Sequence, residues 1–146
     1  VCNINTAQAI TTTSLTTTRL YKSWSYSTAF PSTGGSGWTA GAKQDCTYFT
    51  GYSIKGYAKA TNATLSTAAN VQSMSFYSHA TGNFRIAIYS DSNGPSSLQW
   101  QSSSTAATAG AWNTVNINSG TPSSLTLSAG TYWLAWEWDS ANSGPS

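Results

Sequence analysis

Charged residues are scarce in this chain, and their scarcity excludes several classes of function. Only 7% of the 146 residues are charged, with six lysines and arginines against four aspartates and glutamates, for a net charge of +2. So small and scattered a charge cannot form the basic stripe that phosphate backbones or anionic lipids attract. Nucleic acid is therefore not predicted as a partner.

Residues that ligate metals are equally few. The chain has one histidine, His79, and two cysteines, Cys2 and Cys46. Two thiols and one imidazole cannot close a zinc site, so no metal or other cofactor is predicted. In an oxidising compartment the simplest use of Cys2 and Cys46 is a disulfide. It would join the amino-terminal arm to the body of the chain, or join each cysteine to a neighbouring subunit.

Long apolar runs and helical patterns are also missing. No stretch approaches the roughly 18 apolar residues of a membrane-spanning helix, so no membrane span is predicted. No signal peptide is visible, and we expect a processed, mature chain. Apolar residues nowhere repeat at a period of 3.6 over ten residues, which predicts a fold nearly without helices.

Hydroxyl side chains take the place of charges. The 25 serines and 22 threonines make up about a third of the chain. A surface solvated by hydroxyls and amides is typical of proteins outside the cell. The length suits one domain with an extension, and we predict an extension at residues 1–20 and a β-sandwich at residues 21–146.

Short strands separated by turns follow one another through most of the chain. Residues with alternating or β-rich character predict strands at 23–28, 71–77, 84–89, 98–102, 112–117, 125–127 and 131–139. A turn is predicted at 91–95, because Asn93 and Gly94 tolerate positive φ and Pro95 cannot donate to a strand ladder. A surface loop is predicted at 30–41. This spacing is typical of an all-β, jelly-roll-like antiparallel sandwich.

The segments FRIAIYSDSNGPSSL, AWNTVNI and LTLSAGTYWLAWEWD, all within residues 84–139, carry a resemblance. They resemble the jelly-roll-type β-sandwich modules of secreted and cell-surface proteins of bacteria and archaea. Such modules serve as stalks, adhesins, carbohydrate binders and filament subunits, so the resemblance concerns fold more than function. It implies an extracellular, cell-surface location.

The resemblance also leads us to expect one further strand after residues 131–139. Its absence predicts an apolar groove, lined by Phe84, Ile86, Ile88, Leu134 and Trp136. The Thr-rich residues 1–20 favour an extended strand with little apolar surface of its own.

Together, the groove and this strand resemble donor-strand filaments, in which one subunit's strand completes the next subunit's sheet. The donor side chains would be Ile4, Ile10, Leu15 and Leu20, and the partners would be copies of the chain in a helical homopolymer. The alternative is that residues 1–20 pair with their own sheet, or that the sequence is a shortened one.

Catalysis is not predicted. Glu137 and Asp139 lie two apart on a strand and share one face, a spacing that paired acids use, but no positioned base accompanies them. His79 lies in a turn-like stretch without a nucleophile elbow. We interpret the carboxylates as a solvated strand end and the chain as a non-enzyme.

Aromatic residues give the second functional hypothesis, a carbohydrate-binding or adhesin module. Seven Trp and eight Tyr exceed what one small core needs, and exposed indoles stack on sugar rings. Tyr132, Leu134, Trp136 and Trp138 share one face of the last strand, leaving Trp133 or loop residues such as Trp38 as stacking candidates. Asn62, the only Asn-x-Ser/Thr sequon, falls between two predicted strands and is a candidate for glycosylation.

Overall fold

The computed structural model describes residues 19–23, 30, 39–40 and 57–139. Almost all of this part of the chain is β-strand, and its one helical element is a 3₁₀ turn, Ile117–Ser119. No helix within these ranges is long and apolar enough to cross a membrane. The predicted all-β class is confirmed.

Twelve strands are present among the described residues, and every pair is antiparallel. In chain order they are β1 Arg19–Ser23, β2 Thr39–Ala40, β3 Tyr57–Leu65, β4 Ala69–Val71, β5 Ser73–Ser78, β6 Gly82–Asp91, β7 Pro95–Ser102, β8 Thr105–Ala107, β9 Ala111–Asn116, β10 Gly120–Thr121, β11 Leu125–Leu127 and β12 Gly130–Trp138.

One large sheet dominates the architecture. Its strand order is β10-β7-β6-β12-β3-β1-β2, and β8 pairs with β6 beyond the end of β7. Two small sheets, β5–β9 and β4–β11, are formed from the remaining strands. The long central strands β6 and β12 pair from Trp138 opposite Phe84 to Tyr132 opposite Ser90.

The main core lies between the large sheet and the two small ones. Alternate residues of β6 and β12 meet alternate residues of the small sheets, which gives a two-layer sandwich. The large sheet contributes Phe84, Ile86, Ile88, Leu134, Trp136 and Trp138, and the small sheets contribute Val71, Met74, Phe76, Val115, Leu125 and Leu127. Each large apolar side chain buried here stabilises the fold by about 1.5–3 kcal/mol.

The opposite side of the large sheet is buried as well. We call it the second face, defined by Ala58, Ala60, Ala87, Tyr89, Trp133 and Ala135. Phe30 packs against it with 4% of its surface exposed, and its ring stands edge-to-face to Tyr89 with centroids 6.2 Å apart. The Phe30 backbone N–H donates to Gln101 Oε1 over 2.9 Å. The large sheet is therefore covered on both sides.

Most predicted strands are present with small shifts in their ends. The predicted turn at 91–95 is confirmed: Asn93 has φ 57° and Gly94 has φ 135°, and Asp91 Oδ1 accepts the Gly94 N–H at 3.2 Å. Residues 112–117 were predicted as one strand, but β9 ends at Asn116 and the 3₁₀ turn begins at Ile117.

The single strand predicted at 71–77 is wrong. The chain leaves the β4–β11 sheet after Val71, which pairs with Leu125, and enters the β5–β9 sheet at Ser73, which pairs with Asn116. Gln72 lies between the two strands. The break changes the alternation, so Val71 and Met74 lie in the same core although the pattern placed them on opposite faces.

Few of the predictions for the amino-terminal half of the chain concern residues that the structure describes. The strand predicted at 23–28 overlaps the described β1 only at Ser23, and residues 24–28 lie outside the described residues. The surface loop predicted at 30–41 is wrong at the points described, because Phe30 is buried and Thr39–Ala40 is a strand. β1 also runs across the proposed domain boundary between residues 20 and 21.

Candidate functional site

The β5–β9 sheet turns one side to the core, and its other side is exposed along β9. Cross-strand pairs Ser73–Asn116, Ser75–Thr114 and Tyr77–Trp112 lie on that other side, because alternate residues of a strand share a face. Its β9 members Trp112, Thr114 and Asn116 are exposed, whereas Ser73 and Ser75 of β5 are buried and Tyr77 is half-buried. We call these six residues the outer face. Met74, Phe76 and Val115 point the other way, into the core.

Aromatic rings gather at one end of the outer face. Trp112 is 50% exposed, and among the described residues it is the one large hydrophobic side chain that is exposed. Its ring stands edge-to-face to Tyr77, with centroids 5.9 Å apart and planes at 76°. Tyr77 in turn packs edge-to-face against His79, with ring centroids 5.1 Å apart and ring planes at 69°. The three rings form an aromatic cluster in which Trp112 is exposed and Tyr77 and His79 are half-buried.

The turn before β9 fixes where Trp112 lies. Asn113 Oδ1 accepts the Thr108 N–H at 2.8 Å, and Asn113 Nδ2 donates to the carbonyl oxygens of Thr108 and Ala111. The Gly110 N–H donates to the Ser78 carbonyl oxygen over 2.7 Å, which joins the turn to the end of β5. Gly110 has φ +68°, a conformation that side chains rarely adopt.

Hydroxyl and amide groups continue along the outer face from the aromatic cluster. Ser75 Oγ and Thr114 Oγ1 are 2.7 Å apart and hydrogen-bonded. Asn116, at the far end, is exposed. An amphipathic ligand would meet rings at one end and hydrogen-bonding groups toward the other.

A cleft of about 430 Å³ opens beyond Asn116. Amides and hydroxyls supply its polar lining, and three apolar side chains lie among them. The polar residues are Asn70, Gln72, Asn116, Asn118, Ser123, Ser124 and Thr126, and the apolar ones are Val71, Ile117 and Leu125. None of these lining residues carries a formal charge, so the cleft suits neutral polar ligands.

Backbone contacts hold the cleft walls together. The Ile117 N–H donates to the Gln72 carbonyl oxygen at 2.9 Å, and Trp100 Nε1 donates to the Ile117 carbonyl oxygen at 3.0 Å. Trp100 is fully buried and packs so closely over Gly120 that an added Cβ would meet its indole ring. The 3₁₀ turn is therefore anchored on the main core.

No protein family, curated protein or solved structure matches this chain. Function must therefore be argued from the geometry of the chain itself.

Two ionisable side chains, Arg85 and Glu137, lie close together on the same side of the large sheet as the second face. Arg85 Nε lies 3.6 Å from Glu137 Oε1, and the Glu137 side chain is almost fully buried. Burial raises the pKa of Glu137 to about 8, although Arg85 acts in the opposite direction. Burial, and secondarily the Glu137 carboxylate, also raise the pKa of Tyr89.

The two carboxylates considered for acid chemistry are engaged separately. Glu137 lies beside Arg85, whereas Asp139 accepts both the backbone N–H and the side-chain amide of Asn83, at 2.8 and 2.7 Å. Among the described residues no three His, Cys, Asp or Glu side chains are grouped to hold a metal ion. The interpretation of Glu137 as part of a solvated strand end is wrong, because its side chain is buried.

The sugar-stacking candidates fall in different places. Trp133 lies on the second face with 4% exposure, and its indole N–H donates to Asp91 Oδ1 at 2.6 Å, so it offers no open stacking surface. Trp38 lies outside the described residues. Sequence reasoning did not single out Trp112, which lies near the start of β9, Ala111–Asn116.

The residues predicted to form the donor strand and its acceptor groove are also found in different places. Phe84, Ile86, Ile88, Leu134 and Trp136 are buried between the sheets of their own chain. Leu20 lies in β1 opposite Ala60 of β3. Ile4, Ile10, Leu15, Cys2 and Cys46 lie outside the described residues.

Asn62 is not between strands. It lies in the middle of β3, opposite Trp133 of β12.

Proposed function

We propose that this chain is a carbohydrate-binding module displayed outside the cell, and that the outer face is where it binds. The observation that carries the proposal is Trp112, half exposed and in edge-to-face contact with Tyr77, on a strand whose exposed side continues with Thr114 and Asn116. The proposed activity is recognition, without catalysis.

Physical chemistry favours sugar at such a surface. A pyranose ring has an apolar C–H side that packs on an aromatic ring and an equatorial rim of hydroxyls that needs donors and acceptors. The rings supply the first requirement, and the exposed side chains of Thr114 and Asn116 supply the second. The low charge of the chain and its abundant Ser and Thr support an extracellular, cell-surface location.

Retention on polysaccharides tests the proposal. The wild-type chain and Trp112→Ala would be run through native gels containing neutral glucans, mannans, xylans or galactans. At least one polysaccharide should retard the wild type, and Trp112→Ala should weaken its binding about tenfold or more, because indoles at binding sites commonly contribute over 1 kcal/mol. Trp112→Phe, which keeps an aromatic ring, should retain part of the binding.

Ser66→Ala serves as the matched surface control, since Ser66 is exposed in the loop between β3 and β4, away from the outer face. It should migrate like the wild type. No retardation by any polysaccharide, or equal retardation of Trp112→Ala and the wild type, would contradict the proposal.

A second proposal is assembly into an extracellular filament, pilus or thread, by donation of the amino-terminal strand. In the structure β1 joins the large sheet of its own chain through five backbone register pairs with β3, Arg19–Thr61 to Ser23–Tyr57, and the proposal is that a neighbouring copy supplies this strand in the filament. Such main-chain pairing does not depend on which copy supplies the strand. Because the predicted groove residues are already buried, the acceptor would be the β3 edge instead.

Electron microscopy tests this second proposal. Native material should show long uniform fibres, and a variant lacking residues 1–23 should remain monomeric by size-exclusion chromatography. Fibres formed normally by that variant, or a monomeric wild type, would contradict donor-strand assembly. Adding excess peptide of residues 1–23 provides the control, since it should cap the β3 edge and shorten the fibres.

Two covalent features belong with the extracellular proposal. We propose a disulfide involving Cys2 and Cys46, formed within one chain or between neighbours. Non-reducing mass spectrometry distinguishes the two by the mass of the linked species, and two reactive thiols in native material would contradict both. We also propose a glycan on Asn62, which glycosidase treatment followed by intact-mass measurement would detect.

A further inference from the structure

The cleft next to the outer face has the size of a binding site. Its volume of about 430 Å³ falls within the range of roughly 300–1,000 Å³ that is typical of small-molecule sites. Its lining comes from β4 with Gln72, from the end of β9 with the 3₁₀ turn, and from residues leading into β11. Three separate chain segments thus converge on one cavity.

Hydrogen bonds within the lining set the orientation of its amides. Thr126 Oγ1 donates to Asn70 Oδ1 at 2.6 Å, which leaves Asn70 Nδ2 as the donor of that amide. Gln72 Nε2 donates to the Asn70 carbonyl oxygen at 3.4 Å, which leaves Gln72 Oε1 as an acceptor. Neighbouring donors and acceptors of this kind match vicinal hydroxyls, each of which both donates and accepts.

The apolar part of the lining fits the same class of ligand. Val71, Ile117 and Leu125 line part of the cleft although most of each side chain is buried in the core. They offer only a small apolar area for C–H groups, whereas the absence of formal charge among the lining residues gives nothing to neutralise a carboxylate, sulfate or phosphate. A neutral sugar satisfies both conditions.

Asn116 links the cleft to the aromatic cluster, because it belongs to the cleft lining and to the outer face. Trp112 lies four residues before it on β9, a separation of about 13 Å at roughly 3.3 Å per residue. Thr114 provides an exposed hydroxyl between the two ends, and the buried Ser75 is hydrogen-bonded to it. The surface is thus continuous from the rings to the amides.

We propose that the cleft is a second sugar subsite, and that the ligand is a neutral linear oligosaccharide extending from Trp112 along β9 into the cleft. The inference rests on the proposed carbohydrate binding and adds the ligand's length, direction and lack of charge. Trp112 anchors one sugar ring by stacking, and the amides of Asn70, Gln72 and Asn118 bind another by hydrogen bonds.

Calorimetric titration with cello-, xylo- and manno-oligosaccharides, from disaccharide to hexasaccharide, tests the inference. For the family that binds, affinity should rise with length until both subsites are filled and then level off. Gln72→Ala and Asn118→Ala should weaken the longest oligosaccharide about tenfold and leave the disaccharide unchanged. Trp112→Ala should weaken every length.

Thr126→Val gives a variant that keeps the side-chain shape and removes only the hydroxyl that orients Asn70. It should weaken long oligosaccharides alone, and its circular dichroism should match the wild type. Ser66→Ala is the control and should bind all lengths normally.

The outcomes separate the two proposals. Binding that Trp112→Ala weakens but that Gln72→Ala, Asn118→Ala and Thr126→Val leave unchanged would overturn the cleft subsite and keep carbohydrate binding. Tighter binding of uronic-acid oligosaccharides than of neutral ones would overturn the inferred lack of charge in the ligand. No heat of binding with any oligosaccharide, together with no retardation in the polysaccharide gels, would overturn both proposals.

Discussion

Glu137 and Arg85 face each other across the centre of the large sheet, with Glu137 Oε1 3.6 Å from Arg85 Nε. The carboxylate lies between buried strands, where its charged form is poorly solvated. Neither of its oxygens has a hydrogen-bond partner, and burial outweighs Arg85 in setting its pKa at about 8. Protonation of Glu137 therefore favours the folded state.

Folding stability should fall as pH rises from about 5 to about 8. In the unfolded chain a glutamate loses its proton near pH 4.3, whereas folded Glu137 keeps it up to about pH 8. Between these values the folded state binds more protons, so the free energy of unfolding decreases by at most about 1.4 kcal/mol per pH unit. Urea denaturation at a series of pH values measures this slope.

Glu137→Gln should remove most of that slope, because an amide has the same shape and stays neutral. Asp139→Asn is the matched control. Asp139 accepts hydrogen bonds from Asn83 at the strand end, and the dependence of stability on pH should persist in this variant. If wild type and Glu137→Gln lose stability in parallel between pH 5 and 8, the assignment to Glu137 is wrong.

Asp91 should stabilise the fold through two hydrogen bonds that its carboxylate accepts. Its Oδ1 accepts the Trp133 indole N–H at 2.6 Å and the Gly94 N–H at 3.2 Å. Asp91→Ala leaves the buried indole donor without an acceptor, and it should cost about 1–3 kcal/mol of unfolding free energy by chemical denaturation. Asp91→Asn keeps an acceptor oxygen and should cost less; equal losses in both variants would contradict the role of these bonds.

Gly120 and Gly110 should resist substitution for different reasons. At Gly120 an added Cβ would clash with the backbone carbonyl oxygen of Gln101 and lie about 2.5 Å from the Trp100 ring, so Gly120→Ala should displace both and destabilise the fold by roughly 1–3 kcal/mol. At Gly110 there is room, but φ is +68°, and Gly110→Ala should cost about 1 kcal/mol.

Substitution by asparagine distinguishes the two causes. Asn adopts positive φ more readily than Ala, so Gly110→Asn should be milder than Gly110→Ala. At Gly120 the larger side chain should be at least as damaging as Ala. Thermal unfolding of the four variants measures these differences, and the opposite ranking at either site would contradict the explanation given for it.

Alternation in the sequence predicted strands β6, β11 and β12, because each buries alternate residues in one core, and it predicted β9, of which only Val115 is buried. It also placed Leu134 and Trp136 on one face and Trp133 on the other. The alternation did not predict that both faces of the large sheet are buried. The nearly continuous apolar run of β12, from Tyr132 to Trp138, is the pattern of a strand covered on both sides and was available as a signal.

Other features depend on contacts that no local pattern encodes. The break at Gln72 follows from the different partners of Val71 and Ser73, which lie far away along the chain. Asn62 has no local feature that marks it as the middle of β3. Trp112 becomes a candidate only when its partner Tyr77, 35 positions earlier in the chain, is known to lie beside it.

The most direct test of carbohydrate binding is the indole N–H resonance of Trp112 in a ¹⁵N-labelled sample. The resonance is identified by its loss in Trp112→Phe and followed while a neutral oligosaccharide is added. We predict a saturable shift of this signal, with the buried indoles of Trp100, Trp133 and Trp138 nearly unchanged. An unmoved Trp112 signal at sugar concentrations that saturate binding would contradict it.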